Sequence, residues 1–424
     1  MSKIFTLRLE TVLTMKVPRH RSMVCLGFGV SLFAVVAYVL NINQSKFARK
    51  VQPMLMTQYE FNATANPPTL QNEKCPNVTK GMMRGKWRPR KLTRTEQSEI
   101  DGFLARARKV HGILSLQRND SKCWNISLSN KWFRALCNPN GPTPCCHGTT
   151  CVKKTVDECK CPNCYDHRHS VHAEYSTWEP EDSRCLVKNF TAQKACDLLQ
   201  GLTITFVGDS LLRHIYTGFL LLLSNNPFDG AIKTDAPKDI RKQCEGMDMF
   251  TEKNCRIWLK RYTFVCNNSN YIEMRDTYKA KDVGNFRGVA KQMINKQNTI
   301  IVLSIGLHDQ LNSKRVLQDF IMPVFRLKEK EKSSWPKLIW STIHSRSHLI
   351  FRKDIHDHFK KTKEFNDIMT THMIRHGVPV FDTFNMTHGV VSPDGTHYGS
   401  GINIMKAQML LNFLQEIKSS KLKN

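Results

Sequence analysis

The sequence predicts an α/β domain with a mostly parallel sheet covered on both faces. Ahead of it stand a transmembrane helix and a cysteine-rich, disulfide-stapled segment. Three observations carry this reading. After Cys196, short apolar runs alternate with helical stretches, the texture of βα units. Met23–Leu40 (MVCLGFGVSLFAVVAYVL) runs eighteen residues without a formal charge, about the length a spanning helix needs. Fourteen of the fifteen cysteines lie beyond that run, an even number suited to an oxidising compartment.

The N-terminus comes first. Lys3, Arg8, Lys16, Arg19 and Arg21 against Glu10 precede the apolar run, and only Lys46, Arg49 and Lys50 follow closely. That asymmetry predicts a cytosolic tail (1–22), a signal anchor (23–41) and everything later in the lumen. Asn-x-Ser/Thr sites at Asn43, Asn62, Asn77, Asn119, Asn125, Asn189, Asn267 and Asn385 agree with that address. Of the net charge of +27, the first 41 residues account for only five basic groups and one acid, so +23 remains beyond them. A basic surface suits an anionic partner. In the lumen that excludes nucleic acid and leaves a glycan, with acidic glycans favoured by charge.

Residues 42–120 read as a stem, rich in Pro, Asn, Thr and basic residues at first and ending in a polar helix near Thr95–Val110. Ten cysteines then crowd between Cys123 and Cys196, predicting a segment (121–200) packed on the α/β domain (201–424). His147, His167 and His169 make zinc an alternative, but no paired CxxC units at finger spacing occur, and disulfides are expected. In the α/β domain, strands are expected at Leu202–Val207, Thr299–Ile305, Leu338–Ile343 and Val378–Asp382. Helices are expected at Leu211–Leu223, Lys314–Leu327, Ile355–His376 and Asn403–Ile417. Sites in such sheets lie beyond the carboxyl ends of the strands.

Three places there carry chemistry. Gly208-Asp209-Ser210 closes the first strand and opens a helix, which puts a hydroxyl and a helix N-terminus at the active edge. Ser392-Pro-Asp-Gly-Thr-His-Tyr398 supplies an imidazole, His397, and three residues earlier a carboxylate, Asp394, to fix its tautomer. Ile305-Gly-Leu-His-Asp309 follows a second strand, where His308 could donate to an oxyanion and Asp309 could cap the next helix. Separately, each is a cap or a turn. Together they give nucleophile and base at one sheet edge.

At these places the sequence resembles the GDSL/SGNH hydrolase superfamily, and within it the PC-esterase group. That group includes trichome-birefringence-like polysaccharide O-acetyltransferases, neurexophilin-related proteins and the catalytic domain of sialate O-acetyltransferases. The likeness extends upstream through Trp178-Glu179-Pro180, Cys185 and Gly201–Arg213, and covers roughly residues 175–418. It implies a three-layer SGNH-like sandwich and a triad of Ser210, Asp394 and His397. His308 stands where many hydrolase members carry an oxyanion asparagine, and Arg213 matches a basic residue frequent after the serine in this group.

The expected function is glycan O-acyl transfer, most simply O-acetyl transfer, by a single-pass type II Golgi protein. Ser210 would form an acyl-enzyme, with His308 and Arg213 as oxyanion or substrate contacts. No bound cofactor or metal is expected; an acyl donor, acetyl-CoA among the candidates, would arrive as substrate. The same triad serves a glycan O-acetyl esterase. A non-catalytic glycan-binding or ligand-like protein on the same fold is the reading from another class.

Overall fold

Six apolar or alternating segments build the central sheet. The computed structural model describes residues 75–110, 117–118, 120–128, 131–251, 255–347 and 355–421. Its strands are β1 (Thr203–Gly208), β2 (Tyr262–Val265), β3 (Asn270–Asp276), β4 (Thr299–Ser304), β5 (Lys337–Ser341) and β6 (Val380–Phe381). They lie in the order β6-β5-β4-β1-β3-β2. All neighbours are parallel except β2 and β3, an antiparallel hairpin at one edge, so the sheet is mixed.

β1 and β4 are the innermost strands of the parallel part, and both faces of each are covered. That is why they read as unbroken apolar runs. Ile204 and Phe206 of β1, with Ile300 and Val302 of β4, face α1 (Ser210–Leu223) and the last helix, Ser400–Lys421. Val207, Ile301 and Leu303 face the other way, toward α2 (Val283–Met293), α3 (Met322–Lys330) and α4 (Ile355–Arg375). The last helix is α5. Three layers result. The hairpin escaped the sequence reading because β3 alternates Ile272 and Met274 with Glu273, Arg275 and Asp276. Its charged residues, with Arg275 and Asp276 in succession, interrupt the apolar run that marked the other strands.

Upstream residues pack on this sandwich. Gly85–Pro89 pairs antiparallel with Ser176–Pro180, setting Trp87 opposite Trp178. The Trp87 indole donates to Met386 O at 2.8 Å, and Trp178 donates to Met82 O at 2.8 Å. The helix Arg94–Val110 buries Ile100, Phe103 and Leu104. Residues 75–110 therefore belong to the folded unit, which corrects the expectation of a stem reaching residue 120. Buried amides complete the joint. Gln408 and Asn412 of α5 each bond both the N–H and the C=O of one partner, Phe190 and Lys188 respectively.

All fourteen cysteines from Cys75 onward pair as disulfides: 75–185, 123–146, 137–151, 145–159, 161–164, 196–266 and 244–255. The sulfurs are thus engaged with one another, although His147, Cys161 and Cys164 also lie within 4.8 Å of each other at their ligand atoms. The expected cytosolic tail, the anchor at 23–41, and Asn43, Asn62 and Asn119 lie outside the described residues. Among the described residues no helix is long and apolar enough to cross a membrane. Asn189, Asn267 and Asn385 are exposed, Asn125 lies on a short strand, and Asn77 caps a helical turn.

Cys75–Cys185 closes the longest chain loop of the seven, with a separation of 110. Replacing both cysteines by serine should lower the unfolding free energy by about 2–4 kcal/mol, measured by denaturant titration. An unchanged midpoint would detach residues 75–89 from the folded unit.

Candidate active site

Strand β1 ends against β4 with no room for a side chain. A Cβ on Gly208 would lie 2.3 Å from Ser304 O, so glycine keeps the two backbones in contact. Asp209 follows in extended backbone and caps α1, accepting the Leu211 N–H at 3.0 Å. Ser210 is thus the first residue of the helix. Its main-chain N–H has no acceptor within the helix and sits at the positive end of the helix dipole.

The base arrives from the loop between β6 and α5. Oδ1 of Asp394 accepts the N–H groups of Thr396 and His397 at 2.8 and 2.6 Å, and the Ser392 hydroxyl at 3.2 Å. The loop is folded around this carboxylate. Oδ2 meets His397 Nδ1 at 2.6 Å, and His397 Nε2 stands 2.7 Å from Ser210 Oγ. With Nδ1–H donated to the carboxylate, Nε2 accepts from the serine hydroxyl. Ser210 and Asp394 are nearly buried at 5 and 6% exposure, while the His397 side chain keeps 20%. A substrate can therefore approach from the histidine side.

Behind the loop stands a buried polar layer. His344 Nε2–H donates to Thr396 O at 2.8 Å, and Lys406 Nζ lies 3.3 Å from His344 Nδ1. Burial, then the Lys406 charge, pushes the His344 pKa well below its ordinary value. The ring is neutral, donating on one side and accepting on the other. Burial also lowers the Lys406 ammonium to about 7. The His214 ring lies 5.2 Å from that of His397. Tyr398 OH donates to Ser345 O at 2.7 Å, and Asn403 Nδ2 holds the Tyr398 and Gly399 carbonyls, both at 2.8 Å. Gly218 of α1 lets α5 come close, since a Cβ there would sit 2.6 Å from Asn403 O.

The upstream segment contributes one more prop. Glu174 is buried against the start of α5, where its carboxylate accepts the Gly401 N–H and burial raises its pKa to about 7. Gly399 leaves room for this carboxylate, since a Cβ there would lie 2.3 Å from Glu174 Oε1 and 2.9 Å from the Phe103 ring and would displace one of them. Nearby, Val391 N donates to Val171 O at 2.8 Å.

The structure thus brings Ser210, Asp394 and His397 into one relay and divides the remaining candidates. Arg213 is fully buried and binds Asp276 at 2.7 Å and the Tyr278 hydroxyl at 3.1 Å. It ties α1 to the end of β3, which corrects its expected role as an oxyanion or substrate contact. His308 is exposed on the turn after β4, edge-on to Tyr278. Partial desolvation first, then the charges of Arg346, His397 and Lys279, lower its pKa and keep it neutral. Asp309 does not cap the next helix; it accepts the Ala280 N–H at 2.8 Å, and Asn312 caps Ser313–Arg315 instead. Glu174, His214, His344 and Lys406 went unpredicted. Lys406 alone left a trace, as a lysine inside an otherwise uncharged helical stretch.

No family model matches this chain, and no curated protein matches it. Solved structures do. A lipolytic protein of the G-D-S-L family from Veillonella parvula shares 13% identity over 51% of this chain and 97% of its own, with a TM-score of 0.29. A GDSL-like lipase from Bacteroides thetaiotaomicron shares 15% over 54% and 96%, TM-score 0.29. A Bacteroides fragilis protein described as an acylhydrolase shares 14% over 55% and 95%, TM-score 0.29.

His344→Ala would strand the Thr396 carbonyl and the Lys406 amine in the interior. It should lower turnover of an aryl ester by about 10²-fold through misplacement of His397, and stability by about 1–3 kcal/mol. Lys406 titrates near 7 when folded and near 10.5 when unfolded. Its neutral form is favoured in the fold, so stability is lost as pH falls from about 10.5 to about 7. Glu174, raised from 4.5 to about 7, costs stability as pH rises through that interval. Lys406→Met should flatten the alkaline limb of the stability profile and Glu174→Gln the acid limb, both readable by denaturation across pH. Parallel profiles in variant and parent would refute the assigned burial.

Proposed function

We propose that this chain is a serine-dependent acyl-transfer enzyme that moves an acyl group, most simply acetyl, onto a glycan hydroxyl. The observation that carries the reading is the continuous relay Ser210 Oγ–His397 Nε2, His397 Nδ1–Asp394 Oδ2, with contacts of 2.7 and 2.6 Å. Ser210 Oγ attacks the acyl carbonyl while Nε2 takes its proton, and Asp394 stabilises the imidazolium. The oxyanion forms beside the Ser210 N–H, and the neutral His308 ring on the same rim is the candidate second donor. His397 then returns the proton to the leaving group. A second hydroxyl, deprotonated by His397, resolves the acyl-enzyme.

Whether that hydroxyl belongs to a sugar or to water decides between transferase and esterase. The relay serves both. A lumenal, single-pass type II placement in the Golgi, supported by the uncharged run Met23–Leu40 and its basic flank, favours the transferase, with acetyl-CoA among the candidate donors. The excess of positive charge supports an acidic glycan as acceptor, and the exposed Asn189, Asn267 and Asn385 suit glycosylation in that compartment. A purely binding role has no use for three residues held in hydrogen-bonded sequence.

Two variants test the assignment. Ser210→Ala should abolish labelling by a fluorophosphonate probe and lower acyl transfer by about 10³-fold or more. Asp394→Asn should leave Ser210 in place but lower turnover by about 10²–10⁴-fold. Acetylated glycan formed from a labelled acetyl donor, followed by mass spectrometry, distinguishes transfer from hydrolysis. Full transfer by a folded Ser210→Ala protein would refute Ser210 as the nucleophile, whereas a folded parent that neither takes the probe nor transfers acyl groups would leave the binding role as the reading.

A further inference from the structure

The bridge Cys161–Cys164 differs in kind from the other six. Its partners are three residues apart, so it constrains the least chain entropy of the seven. What holds the two sulfurs together is the backbone. Cys164 N donates to Cys161 O at 3.0 Å across Pro162-Asn163, and Asn163 takes φ +60°. That is a tight turn with proline and asparagine at the positions where each is favoured. Asn163 O accepts the Gly148 N–H at 3.0 Å, and the strand Cys164–Asp166 pairs with Cys145–His147, setting Cys164 opposite His147. The two side chains would remain neighbours with the S–S bond open.

The surroundings favour opening it. Both cysteines are half-buried, where most of the other bridged cysteines are buried. Lys154 Nζ lies 3.4 Å from Cys161 Sγ, and the main chain of Lys154 is pinned by Arg168, whose Nη2 donates to Lys154 O at 3.0 Å. The exposed His147 places a ring nitrogen within 4.8 Å of both sulfurs. An ammonium beside a sulfur stabilises its thiolate and makes it the better leaving group.

We propose that Cys161–Cys164 is a thiol-exchange site, reduced by an external dithiol while the six other bridges stay closed. A thiolate of the dithiol attacks Cys164 Sγ and forms a mixed disulfide. The Cys161–Cys164 bond breaks, and its electron pair leaves on Cys161 Sγ beside the Lys154 ammonium. The second thiol of the reductant loses its proton and attacks its own mixed-disulfide sulfur, releasing Cys164 as a thiolate. The reductant ends as a disulfide, and the protein holds two thiols after proton uptake. Run backwards, the same steps close the bridge.

The test incubates the full chain, without denaturant, in graded dithiothreitol at neutral pH. Acid quench, alkylation and peptide mass spectrometry then report each cysteine. Cys196–Cys266, also half-buried on both sides but separated by 70 residues, is the matched control. Cys161 and Cys164 should be alkylated at about tenfold less dithiol than Cys196 and Cys266. Lys154→Met should slow that opening about threefold or more, while Lys160→Met, whose ammonium pairs with Asp157, should not. Cys161→Ser with Cys164→Ser should fold with the six remaining bridges intact. Simultaneous opening of the two pairs, an unaffected rate in Lys154→Met, or misfolding of the double variant would each overturn the proposal.

Discussion

One hydrogen bond, from Ser210 Oγ to His397 Nε2, joins residues 187 apart in the chain, and the rest of the structure exists to hold its two ends. Each end has its own support. The serine is carried by β1, the best-buried strand beside β4, and turned outward by Gly208 and the Asp209 cap. The histidine is carried by a loop that has no sheet partner of its own. Its position is set by contacts from four directions: the Asp394 carboxylate, the His344 ring, the Asn403 amide and the Gly401 end of α5. Parallel strands make this economical, because their carboxyl ends all emerge at one edge.

The helices set the distance. α1 begins with Ser210, and α5 begins three residues after His397. Both lie on one face of the sheet, and Gly218 lets their backbones come together at Asn403. A larger side chain at 218 would push the starts of the two helices apart and lengthen the very contact that chemistry needs. Packing in the interior thus acts on proton transfer at the edge, because close-packed helices have no slack to absorb the change.

Buried ionisable groups behind the loop run against stability. Lys406 and Glu174 are each fully enclosed, and each has its charged form disfavoured by desolvation. Apolar residues would give a more stable interior there. What polar residues add is direction: His344 and Glu174 bond particular main-chain atoms of the loop and of α5, which an apolar contact cannot do. Glu174 also explains why the cysteine-rich region is more than an appendage. Cys75–Cys185 and the Trp87–Trp178 pair hold the chain that bears it against α5.

The sequence by itself determined the parts whose signal is local. Four strands, the flanking helices, the even set of cysteines beyond the uncharged run and the triad residues could be read because apolar runs, turn residues and motif spacing are short-range properties. It misjudged where neighbours far away in the chain decide. The β2–β3 hairpin hid because charged residues interrupt the apolar run of β3, and residues 75–110 looked like a stem because their partners, Ser176–Pro180 and α5, come about ninety residues or more later. Arg213 and Asp309 have side chains that suit an active site, and only the fold shows that Asp276 and Ala280 engage them. His344 and Lys406 carry no motif at all. Their role arises from burial beside Thr396, and burial is a property of the tertiary structure alone.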